Sequence, residues 1–219
     1  MKHIKNKKNK IATYLVISIL ALILFIFTIF NIINNGFLIT LDINFNILMK
    51  NASFSNNQIL NTIATALHYL FGLVSIVIIS FIIFLYLQYK KRYRDSLFFV
   101  IIMLVNAFFI WGLKILVQRP RSESGLFNYL YSGYAFPSGH TASAVVFLGL
   151  IIYFSWKYLK TRNKNAKIFI TVILSLTDII VGFSRLYLGI HWLSDVLGGF
   201  LLGLFILFLG IFINEKLFN

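Results

Sequence analysis

The sequence predicts an all-α, polytopic membrane protein with six transmembrane helices, and three observations lead to this prediction. First, 59% of its 219 residues are hydrophobic and only 12% are charged, whereas soluble domains are usually about 45–50% apolar and about 25% charged. Second, the apolar residues form long runs, each near the roughly 20 residues that a membrane-spanning helix needs. Third, most charged residues lie in short clusters between these runs. Open strands would leave peptide groups unpaired in lipid, so the runs must be helical.

The predicted spans follow one another without an internal repeat or a low-complexity linker, so we expect a single domain over residues 1–219. The first run follows a basic start, but it is too long for a signal-peptide core and no small-x-small cleavage site follows it. We therefore expect it to be a retained transmembrane helix. The fourth and fifth runs reach full length only with polar residues at one end. The spans are Ile11–Ile33, Ala66–Leu87, Leu97–Val117, Thr141–Trp156, Ile168–Phe183 and Trp192–Ile213.

The distribution of lysine and arginine predicts that both termini are cytoplasmic. Most of the 20 Lys and Arg residues lie at the N-terminus, in the second-to-third and fourth-to-fifth connections, and at the C-terminal end. The positive-inside rule assigns this side to the cytoplasm, as in a bacterial-type plasma membrane. We interpret the net charge of +14 as a topology signal toward anionic headgroups and expect no nucleic-acid partner. The clustered cations are Lys2, Lys5, Lys7, Lys8, Lys10, Lys90, Lys91, Arg92, Arg94, Lys157, Lys160, Arg162, Lys164, Lys167 and Lys216.

The outer side contains one long connection and four cations at or near helix ends. The connection, Asn34–Asn57, is predicted to be a loop with a short interfacial helix, and we expect no catalytic residue in it. A Lys or Arg at membrane depth costs about 2.5–3.5 kcal/mol and usually has a function. Three such cations, Lys114, Arg119 and Arg121, close the third span. Their simpler interpretation is snorkelling to outer headgroups.

A second polar segment, Pro137-Ser138-Gly139-His140, leads into the fourth span. Proline before a helix and serine at its cap are typical of a helix start. The free N–H groups and positive dipole of a helix N-terminus suit a phosphate, and Gly139 lets an anion approach the backbone. His140 would exchange a proton near neutral pH. The alternative is a plain capping motif with a chance histidine.

A third polar segment, Ser184-Arg185 to Asp195, joins the fifth and sixth spans. His191 and Asp195 are four residues apart, so they share one face if the sixth helix begins here. The carboxylate can then hold one ring N–H and leave the other nitrogen free to attack. Gly189 permits a turn between Arg185 and His191. The alternative is a structural His–Asp pair.

Together the three segments supply cations, a helix N-terminus, two histidines and one carboxylate at the outer ends of the spans. Phosphoryl transfer needs cations on the equatorial oxygens, an in-line nucleophile and an acid for the leaving oxygen. The chain has no cysteine, which excludes a thiolate nucleophile and a disulfide. Acidic residues are too few in these segments for a magnesium site, so we expect no metal and no cofactor.

The three segments, in this order, resemble the signature of the type-2 phosphatidic acid phosphatases, or lipid phosphate phosphatases, whose site pattern is shared with the vanadium haloperoxidases. The family pattern is K-x6-R-P, then P-S-G-H, then S-R-x5-H-x3-D. The second and third motifs are complete here, and the three motifs together span residues 114 to 195. In the first, Lys114 and Arg121 have the family spacing, but Ser122 replaces proline. Arg119-Pro120 has the proline at the wrong spacing, so we favour Arg121.

The resemblance implies a role for each motif residue. His191 would form a phosphohistidine, Asp195 would orient it, and His140 would protonate the leaving alcohol and later help to activate water. The implied substrates are phospholipid or isoprenoid lipid phosphates such as undecaprenyl pyrophosphate, phosphatidylglycerophosphate, phosphatidate or diacylglycerol pyrophosphate, and the implied reaction needs no metal. The phosphate would be held by Lys114, Arg121, Ser138, Gly139 and Arg185.

Two other functions use the same residues: a phosphotransferase with another lipid or glycan as acceptor, and a non-hydrolytic anion or lipid transporter. Inverted repeats and broken midplane helices typical of transporters are not evident in the sequence. His68, at the outer end of the second span, is interpreted as a packing or interface histidine, with contact to the substrate as the alternative. Asp178, within the fifth span, is seven residues before Arg185 and is predicted to pair with a cation inside the bundle. The sequence does not indicate an oligomeric state.

Overall fold

In a computed structural model, the protein is described over residues 2–51, 57–122, 133–160 and 164–218, without the side chains of residues 2–8, 50 and 51. The basic residues Lys2, Lys5, Lys7, Lys8 and Arg162 therefore lie outside the described side chains. Within the described ranges the regular structure is entirely α-helical. The helices are α1 (Lys2–Ile33), α2 (Phe37–Asn51), α3 (Gln58–Leu70), α4 (Leu73–Tyr89), α5 (Tyr93–Val117), α6 (Gly139–Tyr158), α7 (Lys164–Tyr187) and α8 (Leu193–Phe218).

Among the described residues, five helices are long and apolar enough to cross a membrane, namely α1, α5, α6, α7 and α8. They correspond to the first and the last four predicted spans. The bent pair α3–α4 would be a sixth span if it crosses as one unit. An all-helical chain with several membrane-spanning helices is therefore confirmed.

The predicted second span is not one continuous helix over Ala66–Leu87. Helices α3 and α4 meet at an angle of 53°, because the N–H groups of Phe71 and Gly72 turn back to the carbonyls of Leu67 and Tyr69. A Cβ atom on Gly72 would lie 3.1 Å from the carbonyl oxygen of His68, so the close turn favours glycine. The break leaves His68 in the last turn of α3.

Helix α2 lies in the segment for which a short interfacial helix is predicted. The chain leaves α1 through Asn35, which has a positive φ of 51°, and α2 begins at Phe37. Leu38 and Asp42 are buried one turn apart, whereas Phe37 and Leu41 are exposed. One face of α2 is therefore covered by the helical bundle.

Helix α6 forms the centre of the bundle, and α8 packs directly against its first turns. A Cβ atom on Gly199 would lie 2.5 Å from the carbonyl oxygen of Ser138, and one on Gly203 would lie 2.9 Å from that of Ala142. Small residues at these positions let the two backbones approach closely. The N–H of Ser138 also donates to the carbonyl of Asp195 at 3.0 Å. The starts of α6 and α8 are thus held side by side.

The described basic clusters and the polar motif segments occupy opposite ends of the bundle. Lys157, near the end of α6, pairs with Asp95 at the start of α5 at 2.6 Å. Lys114 lies 19 residues further along α5, which is roughly 29 Å at 1.5 Å per residue. The polar groups that precede α6 and α8 lie at that same far end. This separation agrees with the distribution predicted from the sequence.

Candidate active site

His191 and Asp195 are in contact at the start of α8. Nδ1 of His191 lies 3.4 Å from Oδ2 of Asp195, and both residues are buried. The backbone N–H of Trp192 donates to the same Oδ2 at 2.9 Å, which holds the carboxylate at the helix start. Asp195 therefore holds Nδ1 of the imidazole, and Nε2 is the nitrogen that can react. The predicted proximity of the two side chains is confirmed.

The surroundings of His191 keep its imidazole neutral near pH 7. Burial is the main cause and lowers the pKa of His191 from its usual 6.5 to about 4. The hydrogen bond and negative charge of Asp195 oppose this shift, whereas the positive charges of Arg121 and Lys114 add to it. A neutral imidazole retains a lone pair on one ring nitrogen, as a nucleophile requires.

Arg185 is fully buried and is held by hydrogen bonds on several sides. Its Nε and Nη2 atoms donate to Oγ of Ser184 at 3.1 and 3.0 Å, and Nη2 donates to the carbonyl of Ala64 at 3.4 Å. Nη1 lies 2.6 Å from Nδ1 of His68. A buried guanidinium fixed in this way is a preorganised partner for an anion.

The Pro-Ser-Gly-His segment starts α6, as its sequence predicts. Ser138 is the N-cap residue, and its Oγ accepts a hydrogen bond from Oγ1 of Thr141 at 3.0 Å. A Cβ atom on Gly139 would lie 3.4 Å from Cγ2 of Ile110, which is an ordinary van der Waals contact. The first N–H groups of a helix lack partners within it, and such a terminus suits an anion.

His140 lies in the first turn of α6 and contacts His68. The two rings stack with centroids 4.8 Å apart. Nε2 of His140 is buried and has no hydrogen-bond partner among the described residues. Buried polar atoms are usually hydrogen-bonded, and Nε2 of His140 is an exception within the described residues.

Lys114 and Arg121 both reach across to loop carbonyls. Nζ of Lys114 donates to the carbonyl of Tyr134. Nε of Arg121 donates to the carbonyl of Gly133, and its Nη1 donates to that of Ile190, each at 3.1 Å. Ile190 directly precedes His191. The two cations are thus held between the loop before α6 and the segment that carries the candidate nucleophile.

Arg119 contacts different groups from Arg121. Its Nη1 donates to Oδ1 of Asp195 at 2.7 Å and its Nη2 donates to Oδ2 of Asp42 at 2.6 Å. Arg119 therefore bridges two carboxylates, whereas Arg121 donates to loop carbonyls. The assignment of Arg121 as the motif arginine stays a prediction from the spacing.

Two residues that contact the motif side chains, Asp42 and His68, belong to none of the three sequence motifs. Asp42 belongs to the outer segment in which no catalytic residue is expected. The one sequence feature that distinguishes it is an acidic residue within a mainly apolar run. His68 is interpreted as a packing histidine, yet it contacts both Arg185 and His140. Each contact joins residues that are far apart in the chain, so no local sequence pattern predicts it.

Within the described side chains Asp178 forms no ion pair, so the predicted pair with a cation is not observed there. The contacts described for Arg185 are with Ser184, His68 and Ala64, and Oδ1 of Asp178 has no hydrogen-bond partner among the described residues. Asp178 instead lines a cavity of about 690 Å³ between α1, α6, α7 and α8. This cavity reaches toward Lys157, away from the motif residues.

Within the described ranges, no group of three or more His, Cys, Asp or Glu side chains is arranged to hold a metal ion. The site contains instead a His–Asp pair, a second histidine, a helix N-terminus and several fixed cations. These are the components that phosphoryl transfer requires.

Comparison with known proteins gives a family match over more than half of the chain. The family model described as the PAP2 superfamily matches residues 95–218. This range includes α5 to α8 and all three motif segments.

Three relatives illustrate the similarity. Phosphatidylglycerophosphatase B of Bacillus subtilis strain 168 is 34% identical over 129 residues, which are 59% of this chain and 62% of that protein. Lipid phosphate phosphatase delta of Arabidopsis thaliana is 30% identical over 84 residues, 38% of this chain and 20% of that protein. The aligned part thus spans less than two thirds of either relative. The crystal structure of a transmembrane PAP2 type phosphatidylglycerolphosphate phosphatase from Bacillus subtilis matches with a TM-score of 0.81 and 27% identity, covering 92% of this chain and 98% of that one.

Proposed function

The chain belongs to the PAP2 superfamily, and from that premise we propose that it hydrolyses a phosphate or pyrophosphate lipid through a phosphohistidine on His191, without a metal ion. The main support for this proposal is the buried contact between His191 and Asp195. Fixed cations and the start of α6 surround this pair. The names of the Bacillus and Arabidopsis relatives, both lipid phosphatases, support the same class of substrate.

In the first step, the lone pair on Nε2 of His191 attacks the phosphorus atom. The Nε2–P bond forms while the P–O bond to the lipid breaks in line with it. His140 donates a proton to the leaving oxygen, so the lipid departs as an alcohol, or as a phosphate monoester if the substrate is a pyrophosphate. Asp195 accepts the hydrogen bond from Nδ1–H and stabilises the positive ring that this step creates.

In the second step, water hydrolyses the phosphohistidine. His140, now neutral, takes a proton from water as its oxygen attacks phosphorus. The Nε2–P bond breaks, its electron pair returns to His191, and inorganic phosphate is released. Both enzyme histidines then regain their starting protonation states. The unpartnered buried Nε2 of His140 supports its assignment to these proton transfers.

The phosphate is held by Lys114, Arg121, Arg185 and the Ser138-Gly139 start of α6. These groups neutralise the charge that spreads over the equatorial oxygens in the transition state. The hydrogen bonds that fix Arg121 to the loop carbonyls and Arg185 to Ser184 support this role. Groups that are already positioned need little rearrangement during the reaction.

We assign the site to the outer face of a plasma membrane. This assignment follows from the positive-inside rule and from the separation of the described basic clusters from the motif residues along the bundle. The lipid substrate then approaches from the bilayer between helices, and its phosphate reaches the site at the membrane surface.

The experiment is a phosphate-release assay on the full-length protein in mild detergent with EDTA present. The substrates are phosphatidylglycerophosphate, phosphatidate, diacylglycerol pyrophosphate and undecaprenyl pyrophosphate. We expect release of inorganic phosphate from at least one of them. The variant His191→Ala should abolish release, whereas His3→Ala, in the basic N-terminal segment, should leave it unchanged.

The other outcomes contradict the proposal in different ways. Release that requires a metal, or that survives loss of His191, would mean that the mechanism is wrong. If the folded protein transfers phosphate to an added lipid or glycan but releases none to water, the protein is a phosphotransferase. If no phosphate leaves any substrate, the binding or transport alternative is favoured.

A further inference from the structure

Asp42 is buried against the start of α8, although it belongs to the outer helix α2. Only 2% of it is exposed. Its Oδ1 accepts a hydrogen bond from the backbone N–H of Ser194 at 2.8 Å. Its Oδ2 accepts from Oγ of Ser194 and from Nη2 of Arg119, each at 2.6 Å. A carboxylate with three such donors is firmly positioned.

A continuous chain of contacts leads from Asp42 to the candidate nucleophile. Arg119 joins Oδ2 of Asp42 to Oδ1 of Asp195, and the other oxygen of Asp195 contacts Nδ1 of His191. We propose that Asp42 is a positioning residue for His191, which acts through Arg119 and Asp195. This inference rests on the proposed function of His191 as the nucleophile.

The charge balance of the cluster explains why a second carboxylate matters. With His191 neutral, the single positive charge of Arg119 is shared by the negative charges of Asp42 and Asp195. The cluster then carries a net charge of −1, which the positive ring of a phosphohistidine complements. Without Asp42, Arg119 would neutralise Asp195, and the negative potential at Nδ1 would be smaller. Such effects are strong in a buried site, where charges are weakly screened.

Helix α2 also fixes the segment that carries Arg121. Nδ2 of Asn46, one turn after Asp42, donates to Oγ of Ser122 at 2.8 Å. Ser122 stands where the family pattern has proline, so this hydroxyl contact is available because of the departure. Asp42 contributes a charge to the site, whereas Asn46 has an uncharged side chain. The two residues therefore separate an electrostatic role from simple anchoring of α2.

His191 is influenced by charged and titratable groups on every neighbouring element. The effect of one group on the pKa of His191 must therefore be measured while the other groups are left unchanged. They are Asp195 on α8, Lys114 on α5, Arg121 in the following loop, His140 on α6, and Arg119 with Asp42 behind Asp195.

The test compares steady-state kinetics of wild type, Asp42→Asn, Asn46→Ala and the double variant Asp42→Asn/Arg119→Gln. We expect Asp42→Asn to lower kcat at least tenfold and to change KM by less than threefold, because the phosphate ligands are untouched. Asn46→Ala should change kcat less than threefold. The double variant removes both charges behind Asp195, so its kcat should exceed that of Asp42→Asn by at least threefold.

A merely structural Asp42 predicts the opposite pattern. In that case the double variant would be no more active than Asp42→Asn, and Asn46→Ala would lose as much activity. Either result overturns the inference, as does a kcat for folded Asp42→Asn within twofold of wild type. If Asp42→Asn does not fold, Asp42→Glu replaces it. This charge-conserving variant should keep a kcat at least threefold above that of Asp42→Ala in the same membrane preparation, and equal values overturn the inference.

A second measurement distinguishes this inference from the proposed function. The titration of the His191 ring is followed by NMR in wild type and Asp42→Asn, with the signal assigned by its loss in His191→Ala. We expect the pKa of His191 to fall in Asp42→Asn, because a positive ring is less stabilised. An unchanged pKa contradicts the role of Asp42 even if the protein releases no phosphate. If the wild type releases phosphate and Asp42→Asn releases it equally fast, this inference is contradicted but the proposed function is not.

Discussion

Nδ1 of His68 lies 2.6 Å from Nη1 of Arg185, and the His68 ring stacks on that of His140. Because a guanidinium can only donate hydrogen bonds, Nδ1 of His68 must be the acceptor. His68 is therefore neutral, with its proton on Nε2. One side chain from the broken second span thus connects Arg185, a proposed phosphate ligand, with the candidate proton donor.

Replacing His68 should lower the rate of phosphate release, because Arg185 loses a hydrogen-bond partner. In His68→Leu the charged guanidinium of Arg185 loses its hydrogen bond to the neutral imidazole, and a hydrogen bond that involves a charged group is worth about 1.5–3 kcal/mol. We expect kcat/KM for phosphate release to fall by about 10–100-fold. In His68→Asn the amide oxygen can still accept from Arg185, so this variant should retain more of the wild-type value. Equal activity of His68→Leu and wild type would contradict the role of His68.

The His191 imidazole should titrate far below an ordinary histidine. Burial lowers its pKa to about 4, so raising the pH through about 4 removes the ring proton and frees Nε2. In Asp195→Asn the charge that opposes this shift is lost, and the pKa should fall further. NMR titration of the ring in detergent measures both values. A wild-type pKa at or above the usual 6.5 would show that the ring is not held in a buried, mainly apolar environment.

The close approach of α8 to the start of α6 should tolerate no added methyl group. In Gly199→Ala the new Cβ would lie 2.5 Å from the carbonyl oxygen of Ser138, which must move the helix start or α8. Overpacking of this kind costs about 1–3 kcal/mol, so we expect a lower thermal unfolding midpoint and slower phosphate release.

The control for this prediction is Gly112→Ala on α5, where no described atom lies within 4 Å of the added Cβ. Alanine favours a helix over glycine by roughly 0.5–1 kcal/mol, so stability should be unchanged or slightly higher. If both alanine variants behave alike, the contact between α6 and α8 does not limit stability.

The sequence could predict the parts of the fold that depend on local composition. Long apolar runs identify α1, α5, α6, α7 and α8, because lipid requires apolar side chains over a whole span. The break between α3 and α4 was not predicted, since both sides are apolar and a single glycine does not by itself end a helix. Hydropathy reports which residues suit lipid, but it does not report a bend.

The candidate site also combines local features that the sequence predicts with tertiary contacts that it does not predict. The spacing of His191 and Asp195 and the helix start at Ser138 are local features, and their predicted arrangement is confirmed by the contacts. The partners of Arg119 and Arg185 are tertiary features. Asp42 lies 77 residues from Arg119 and His68 lies 117 residues from Arg185, so only the packing of α2 and α3 against the bundle brings them into contact.

The most direct test of the central claim is detection of the phosphoenzyme. The protein is mixed with a lipid substrate labelled with ³²P in the transferred phosphoryl group, quenched within one turnover, and digested for peptide mapping. A phosphohistidine on His191 predicts an acid-labile, alkali-stable label on the peptide that contains this residue. The label should be absent in His191→Ala and should precede the release of inorganic phosphate. Release of phosphate with no labelled protein at any time, or with label on another residue, would contradict His191 as the nucleophile.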